Sequence, residues 1–445
     1  MTARPAHDAD LFGHPRGLTF LFATEMWERF SYYGMRALLV LYMLKYLLLP
    51  EQAAGVAGLT GFRTALEAVF GPLAPQQFAS HIYGTYTGLV YLTPIFGGLL
   101  ADRVLGQRRT VIIGASLMAI GHFLMAFEHL FLLALLVLIL GNGAFKPNIS
   151  TQVGHLYGPG DRRRDRAFSI FYVGINLGAF LAPLVCGTLG ETFGWHFGFA
   201  AAGVGMTIGL VIYLLAAPSL PRDAFVRRET VAIPMRRDEW LSISAILALM
   251  LPVSLYWATY EQQGNTIALW ADQFTDRHIF SFEIPVTWFQ SFNPFMIFAF
   301  TPLVVALWHR QGASEPSTVA KMAIGCTLNA AAYLLMALAA WNSAGGQTSW
   351  LWLFGFFVIL TTGELYLSPV SLSLVSKVAP ARLLSMLMGV WLSTSFLGGF
   401  LAGYLGTFWS SMTKPAFFLM LAIVSGIAAI AIALLIRPLR GILQE

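Results

Sequence analysis

EMWERFSYYGMR, residues 25–36, sets two glutamates, two arginines and two adjacent tyrosines inside a run, 17–49, that is otherwise mostly apolar. A helix needs about 20 apolar residues to cross the bilayer core. A charged side chain at that depth costs about 2.5–3.5 kcal/mol on insertion scales. At about 100° per residue, Glu25, Glu28, Arg29, Tyr32, Tyr33 and Arg36 share less than half of the helix circumference. The run therefore predicts a membrane helix with one continuous polar stripe, expected to line water or a ligand. The plainer alternative is a salt-bridge cluster that locks helices together. Glu28 and Arg29 are adjacent, so they are expected to point differently and not to neutralise each other, whereas Glu25 reaches Arg29 at i,i+4.

The rest of the chain has the same character. Of 445 residues, 57% are hydrophobic and 11% charged, against roughly 25% charged in a soluble domain. Further apolar runs of spanning length lie near 79–102, 108–127, 131–156, 166–190, 196–217, 240–264, 284–309, 318–341, 349–376, 383–410 and 415–436, so twelve spans are expected. In lipid they must be helices, because backbone groups find partners only within the segment. The fold class is an all-α membrane protein. The start, MTARPAHDADLFGHPRG, carries acids and no apolar core with a cleavage site, which argues against a cleaved signal peptide. Cys186 and Cys326 lie inside apolar runs and indicate neither a disulfide framework nor a metal site.

The basic residues are sorted by side. Of 27 Lys and Arg, twenty fall on one set of ends and loops: Arg4, Arg16, Arg103, Arg108, Arg109, Arg162, Arg163, Arg164, Arg166, Arg222, Arg227, Arg228, Arg236, Arg237, Arg310, Lys321, Lys377, Arg382, Arg437 and Arg440. Four (Lys45, Arg63, Arg277, Lys414) fall on the other set, and Arg29, Arg36 and Lys146 lie at membrane depth. The positive-inside rule puts both termini in the cytoplasm, which requires an even number of spans. The run DRRRDR reads as a topology anchor, and the net charge of +5 carries no indication of nucleic acid.

A polar stretch at 219–239 divides the chain into bundles 1–218 and 240–445 of six spans each. The halves are weakly alike. Thr93-Pro94 in the second span matches Thr301-Pro302 in the eighth, GNGAFKPNIS matches TTGELYLSPVS, and WERF matches WATYEQQ. Duplicated bundles with a midplane site between them are the pattern of secondary transporters. Lys146 and Glu364 are read as sitting at matching points of the halves, where unlike charges form a gate and offer two poles to a zwitterion. A static buried pair is the alternative. Glu261 is a candidate proton site or partner for a basic group. Tyr91, Asn176, Gln290, Asn293, Trp391 and Ser395 either line a pocket or serve as helix-packing contacts. His81 reads as a water-exposed residue at a helix end.

A carboxylate stripped of water holds its proton more tightly, and a neighbouring Arg reverses this. Moving Arg29 away from Glu25 or Glu28 would load a proton, and returning it would release one. One pH unit supplies about 1.4 kcal/mol per proton, and 100 mV adds about 2.3 kcal/mol. Together these concentrate a solute a few hundredfold. No enzyme motif, nucleotide-binding loop or cofactor site is present, so the chain is not an enzyme and needs no cofactor.

EMWERFSYYGMR also resembles the first-helix motif of the proton-dependent oligopeptide transporters. Further matches are GGLLADRVLGQRRTVI at 97–112, GNGAFKPNIS at 141–150, FSIFYVGINLGAF at 168–180, YEQQGN at 260–265, WFQSFNP at 288–294 and GELYLSPVSLSLVSKVAP at 363–380. The resemblance implies a major facilitator fold, alternating access, and import of di- and tripeptides with protons. It implies proton-coupling roles for Glu25, Glu28, Arg29 and Glu261. It implies peptide contacts for Tyr33, Arg36, Tyr91, Lys146, Asn176, Asn293, Glu364, Trp391 and Ser395, with Lys146 and Glu364 also gating. The expected setting is the inner cell membrane, with the chain working alone as a monomer. There are departures. Gly84 stands where animal members carry a histidine, the two extra helices of many bacterial members are missing, and so is the extracellular domain of animal members. Some plant relatives carry nitrate or hormones, so a proton symporter for another small zwitterion or anion stays open. So does a membrane subunit of a proton-pumping respiratory enzyme.

Overall fold

Arg16–Tyr42 forms helix α1 in a computed structural model that describes residues 13–158, 161, 163–220, 223, 236–343, 345–380 and 383–443. Pro15, in extended conformation, precedes the first turn, and no proline interrupts the 27 residues, about 40 Å at 1.5 Å per residue. A π-turn at Met43–Leu47 extends it. Eleven further long helices follow: α2 Pro75–Leu100, α3 Gln107–Leu124, α4 Phe131–His155, α5 Arg163–Ala182, α6 Trp195–Ala216, α7 Arg237–Tyr260, α8 Phe292–Gln311, α9 Thr318–Asn342, α10 Leu351–Val378, α11 Leu384–Gly406 and α12 Lys414–Leu443.

Among the described residues, ten helical segments are long and apolar enough to cross a membrane. The other two long helices are α1, with its five charges, and α3, which opens on Gln107, Arg108 and Arg109. Shorter elements escaped the sequence reading. One is the helix Leu59–Phe70. Others are the helices Pro50–Ala53 and Thr266–Gln273 and four short strands: β1 (Thr275–Asp276) pairs parallel with β4 (Thr348–Ser349), and β2 (His278–Ile279) pairs antiparallel with β3 (Phe282–Glu283). Most of the 219–239 stretch lies outside the described residues, as do Arg4, Arg162, Arg222, Arg227, Arg228 and Arg382.

The chain divides into two compact units, residues 1–64 with 92–228 and residues 65–91 with 229–445. Residues 65–91, which the sequence groups with the first bundle, cluster with the second unit. Within the first unit α1 packs on α5 and α6, and α3 packs on α4 and α6. Within the second, α7 packs on α11 and α12, and α9 packs on α10 and α12. The pattern is the same with every helix advanced by six.

Glycine explains one pair of these contacts. A Cβ on Gly114 of α3 would stand 2.7 Å from the carbonyl oxygen of Gly141 on α4, and one on Gly325 of α9 would stand 2.7 Å from that of Gly363 on α10. Each crossing glycine on α4 and α10 is followed six residues later by proline, Pro147 and Pro369. Small residues let helix backbones approach where lipid gives no hydrophobic drive to pack.

Candidate functional site

The stripe on α1 is intact and buried. Glu25, Glu28 and Arg29 are 2%, 0% and 3% exposed, and Arg36 is buried with them. Only Tyr33 of the six is half-buried. The expected exposure of this stripe to water is therefore not met in this conformation; ion pairing within α1 takes its place. Burial on this scale demands partners, since an unpaired charge out of water costs several kcal/mol.

Arg29 supplies them. Its Nη2 donates to Glu28 Oε1 at 2.6 Å, its Nε to Glu28 Oε2, and the same Nε lies 3.4 Å from Glu25 Oε1. This corrects the expectation that the adjacent Glu28 and Arg29 point apart. The arginine stem is long enough to bend back beside its neighbour, and the planar guanidinium then grips both carboxylate oxygens. The guanidinium also lies 5.1 Å from the Tyr32 ring centroid, and that of Arg36 lies 5.7 Å from the Tyr33 ring centroid. From α4, Asn142 Nδ2 donates to Glu28 Oε1 at 3.3 Å, and half-buried Lys146 lies one turn further along the same helix. Glu25 Oε2 is buried and has no hydrogen-bond partner among the described residues.

A second polar cluster occupies the second unit. Glu364 Oε2 on α10 accepts from Tyr260 Oη of α7 and from Asn293 Nδ2 of α8, each at 2.8 Å. Asn293 Nδ2 also donates to Thr361 Oγ1 at 3.1 Å, and Tyr260 donates to Asn293 Oδ1 at 3.3 Å. Glu261 begins a 3₁₀ turn directly after α7 and is buried. Tyr83 Oη donates to its Oε2 at 3.4 Å. Trp391 and Ser395 lie one turn apart on α11, both buried.

Other expected residues fall differently. Asn176 on α5 donates to Tyr172 O one turn back, at 3.0 Å, a bond internal to its own helix. Tyr91 and Gln290 are half-buried. His81 is not water-exposed as expected. It is buried, with its ring 4.4 Å from that of Phe70 at the end of the short helix the sequence reading missed. Lys146 and Glu364 do not occupy matching points either. Counted from the crossing glycines, Glu364 follows Gly363 by one residue and so matches Asn142, whereas Lys146 follows Gly141 by five and matches Ser368.

Sequence reasoning passed over Asn142, Tyr83, Tyr260 and Thr361. Asn142 sits inside GNGAFKPNIS and Tyr260 inside YEQQGN, segments already singled out. The rule that flagged the charges also applies, more weakly, to neutral polar groups in an apolar helix.

The comparisons with known proteins agree with this layout. The sequence profile of the POT family (PTR2) matches residues 108–223 and 226–420. The chain is 34% identical to a di-/tripeptide transporter of Lactococcus lactis subsp. cremoris, covering 98% of this chain and 97% of the relative. It is also 34% identical to the peptide transporter YePEPT of Yersinia enterocolitica, over 98% and 96%. A crystal structure of the peptide transporter POT in complex with alafosfalin superposes with a TM-score of 0.86 at 30% identity, over 99% of this chain and 98% of that one. A POT family transporter in complex with 5-aminolevulinic acid gives 0.82 at 28% identity, over 96% and 97%. Apolar helices enclosing paired charges, on the fold of solved transporters, define a multi-pass membrane transporter and not an enzyme. The chain belongs to the POT family.

Proposed function

We propose that this chain imports di- and tripeptides together with protons by alternating access of two six-helix bundles, 1–218 and 240–445, joined by the cytoplasmic linker 219–239. The observation that carries the reading is the buried triad of α1, in which one guanidinium serves two carboxylates. Two anions against one directly bonded cation leave a place for one proton, and the unpartnered Glu25 Oε2 is where it would sit. Withdrawing Arg29 or bringing Lys146 closer shifts that balance. Glu25, Glu28, Arg29 and Glu261 are assigned to proton coupling. Lys146 offers a positive pole and Glu364 a negative one, suited to the two ends of a zwitterionic peptide, and both are assigned gating roles. Tyr33, Arg36, Tyr91, Asn176, Asn293, Trp391 and Ser395 complete the proposed peptide pocket. The protein works as a monomer in the inner cell membrane with both termini in the cytoplasm.

The test uses purified chain in sealed vesicles with acid outside and labelled dialanine. Uptake should collapse on adding a protonophore, and Glu28→Gln should lower gradient-driven uptake at least tenfold while leaving peptide counterflow in place. Undiminished gradient-driven uptake by Glu28→Gln would remove the coupling role. The structural neighbour holding 5-aminolevulinic acid supports a second reading, a carrier of other small zwitterions. Competition by 5-aminolevulinate that exceeds competition by any dipeptide would favour it.

A further inference from the structure

A cavity of about 520 Å³ opens in the first unit between α1, α5 and α6, away from the charged stripe. Its walls include Met26, Trp27 and Phe30 of α1 and Phe197, Val204 and Ile208 of α6. The lining residues are all apolar side chains or glycine. Two of the glycines bring the helices together at this place. A Cβ on Gly178 of α5 would stand 2.1 Å from Met26 O, and one on Gly205 of α6 would stand 2.6 Å from Phe30 Cδ1. The outer wall is open, with Phe197 and Val204 61% and 51% exposed.

We infer that this groove seats one acyl chain of a phospholipid. Its open rim belongs to the apolar outer face of membrane helices, so it is continuous with the surface that lipid already covers. Its length selects the occupant. From Phe197 to Ile208 the groove runs about 16 Å along α6, at about 1.5 Å per residue. One leaflet contributes half of a hydrocarbon core about 30 Å thick, so a single acyl chain fills the groove from end to end. A helix of another protein would need a groove along the whole span. Trp195 lies just before Phe197 at this end of the groove, and tryptophan gathers at the level of the headgroups. The volume, about 520 Å³, lies within the range of sites that hold a small ligand. The occupant lies against the back of the turns that carry Glu25, Glu28 and Arg29, since at about 100° per residue Met26, Trp27 and Phe30 point to the opposite side of α1.

The site is tested with the full chain in vesicles containing phosphatidylethanolamine that carries a photoreactive diazirine on one acyl chain, with adducts mapped by peptide mass spectrometry. Adducts on Met26 and Val204 should exceed those on Leu434, a more exposed residue of α12, by about fivefold or more, and should saturate as labelled lipid is raised. Val204→Trp, at the open rim where a large side chain folds readily, should bring labelling of Met26 down to the Leu434 level. Labelling that follows exposure alone, or that never saturates in the wild-type chain, would overturn the inference without bearing on transport. So would cross-links between two copies at Met26 with exclusion of the labelled lipid.

Discussion

The two units repeat each other's packing and exchange each other's chemistry. In the first, α1 lies on α5 and α6 while α3 crosses α4 at Gly114 and Gly141; in the second, α7 lies on α11 and α12 while α9 crosses α10 at Gly325 and Gly363. The residue after each crossing glycine then reaches the same neighbour. Asn142 on α4 donates to Glu28 on α1, and Glu364 on α10 accepts from Tyr260 on α7. In one unit the acid is on the first helix and the neutral group on the fourth; in the other this is reversed. The packing can match while the polar groups differ, because steric closeness at the glycines fixes the crossing while the neighbouring side chain faces its own local chemistry.

The largest expected effect attacks the shared scaffold. Gly114→Val and Gly325→Val each drive a side chain into a facing backbone carbonyl that cannot move aside cheaply, and overpacking of this kind costs about 1–3 kcal/mol. Both should lower the apparent unfolding temperature in detergent by several degrees, and by similar amounts. A large fall for one with none for the other would break the equivalence of the crossings.

This equivalence also marks how far the sequence could be read. Hydropathy placed the long helices, and the Gly and Pro of GNGAFKPNIS and TTGELYLSPVS revealed the repeat, because spacing along one chain is visible in the letters. The register across helices is not. Lys146 and Glu364 looked matched as charges near the same Gly and Pro, but matching is set by which glycine meets which carbonyl. Glu28 and Arg29 looked divergent because helical angle describes where Cβ points, not where a long guanidinium ends. His81 looked exposed because the amphipathic helix Leu59–Phe70, too short to span, gave no membrane signal. The acids and bases of the candidate site were legible because charge in an apolar helix is rare. Asn142 and Tyr260 were not, because neutral polar residues there are common.

The next test separates the exchanged chemistries. Glu364→Ala removes the charged acceptor that Tyr260 and Asn293 share at 2.8 Å and leaves them the longer bonds to Asn293 Oδ1 and Thr361 Oγ1. Hydrogen bonds to a charged group are worth about 1.5–3 kcal/mol, and dialanine uptake should fall by tenfold or more. Asn142→Ala removes a single bond of 3.3 Å to a carboxylate that Arg29 already holds twice, so a loss of about 1 kcal/mol, roughly fivefold in rate, is expected. Asn142→Asp should be worse than Asn142→Ala, because it sets a third carboxylate beside Glu28. If Asn142→Asp transports like the wild type, the amide is not positioning Glu28. A smaller change follows from Tyr83→Phe. The Tyr83 hydroxyl reaches the Glu261 carboxylate at 3.4 Å and the Glu261 backbone carbonyl at 3.3 Å. Both contacts are long, and their loss should stay near 0.5 kcal/mol, about twofold in uptake.

The smallest expected effect concerns Asp161, and it guards the proton assignment. Arg163 donates to its carboxylate through Nε at 3.2 Å and Nη2 at 2.9 Å, and the Arg163 backbone N–H donates at 3.0 Å. These bonds hold the Asp161 carboxyl below the usual carboxylate range, with the side-chain bond from Arg163 the largest cause. A carboxyl depressed on folding adds stability above its unfolded value, about 3.9, and loses it only as pH falls through the still lower folded value. Asp161 is therefore ionised throughout pH 5–8 and contributes no slope there. Asp161→Asn should leave the shape of the uptake-against-pH curve unmoved over that window, whereas Glu28→Gln should flatten it. A curve that shifts with Asp161→Asn would place part of the pH response at the end of α5 and weaken the assignment of proton coupling to α1.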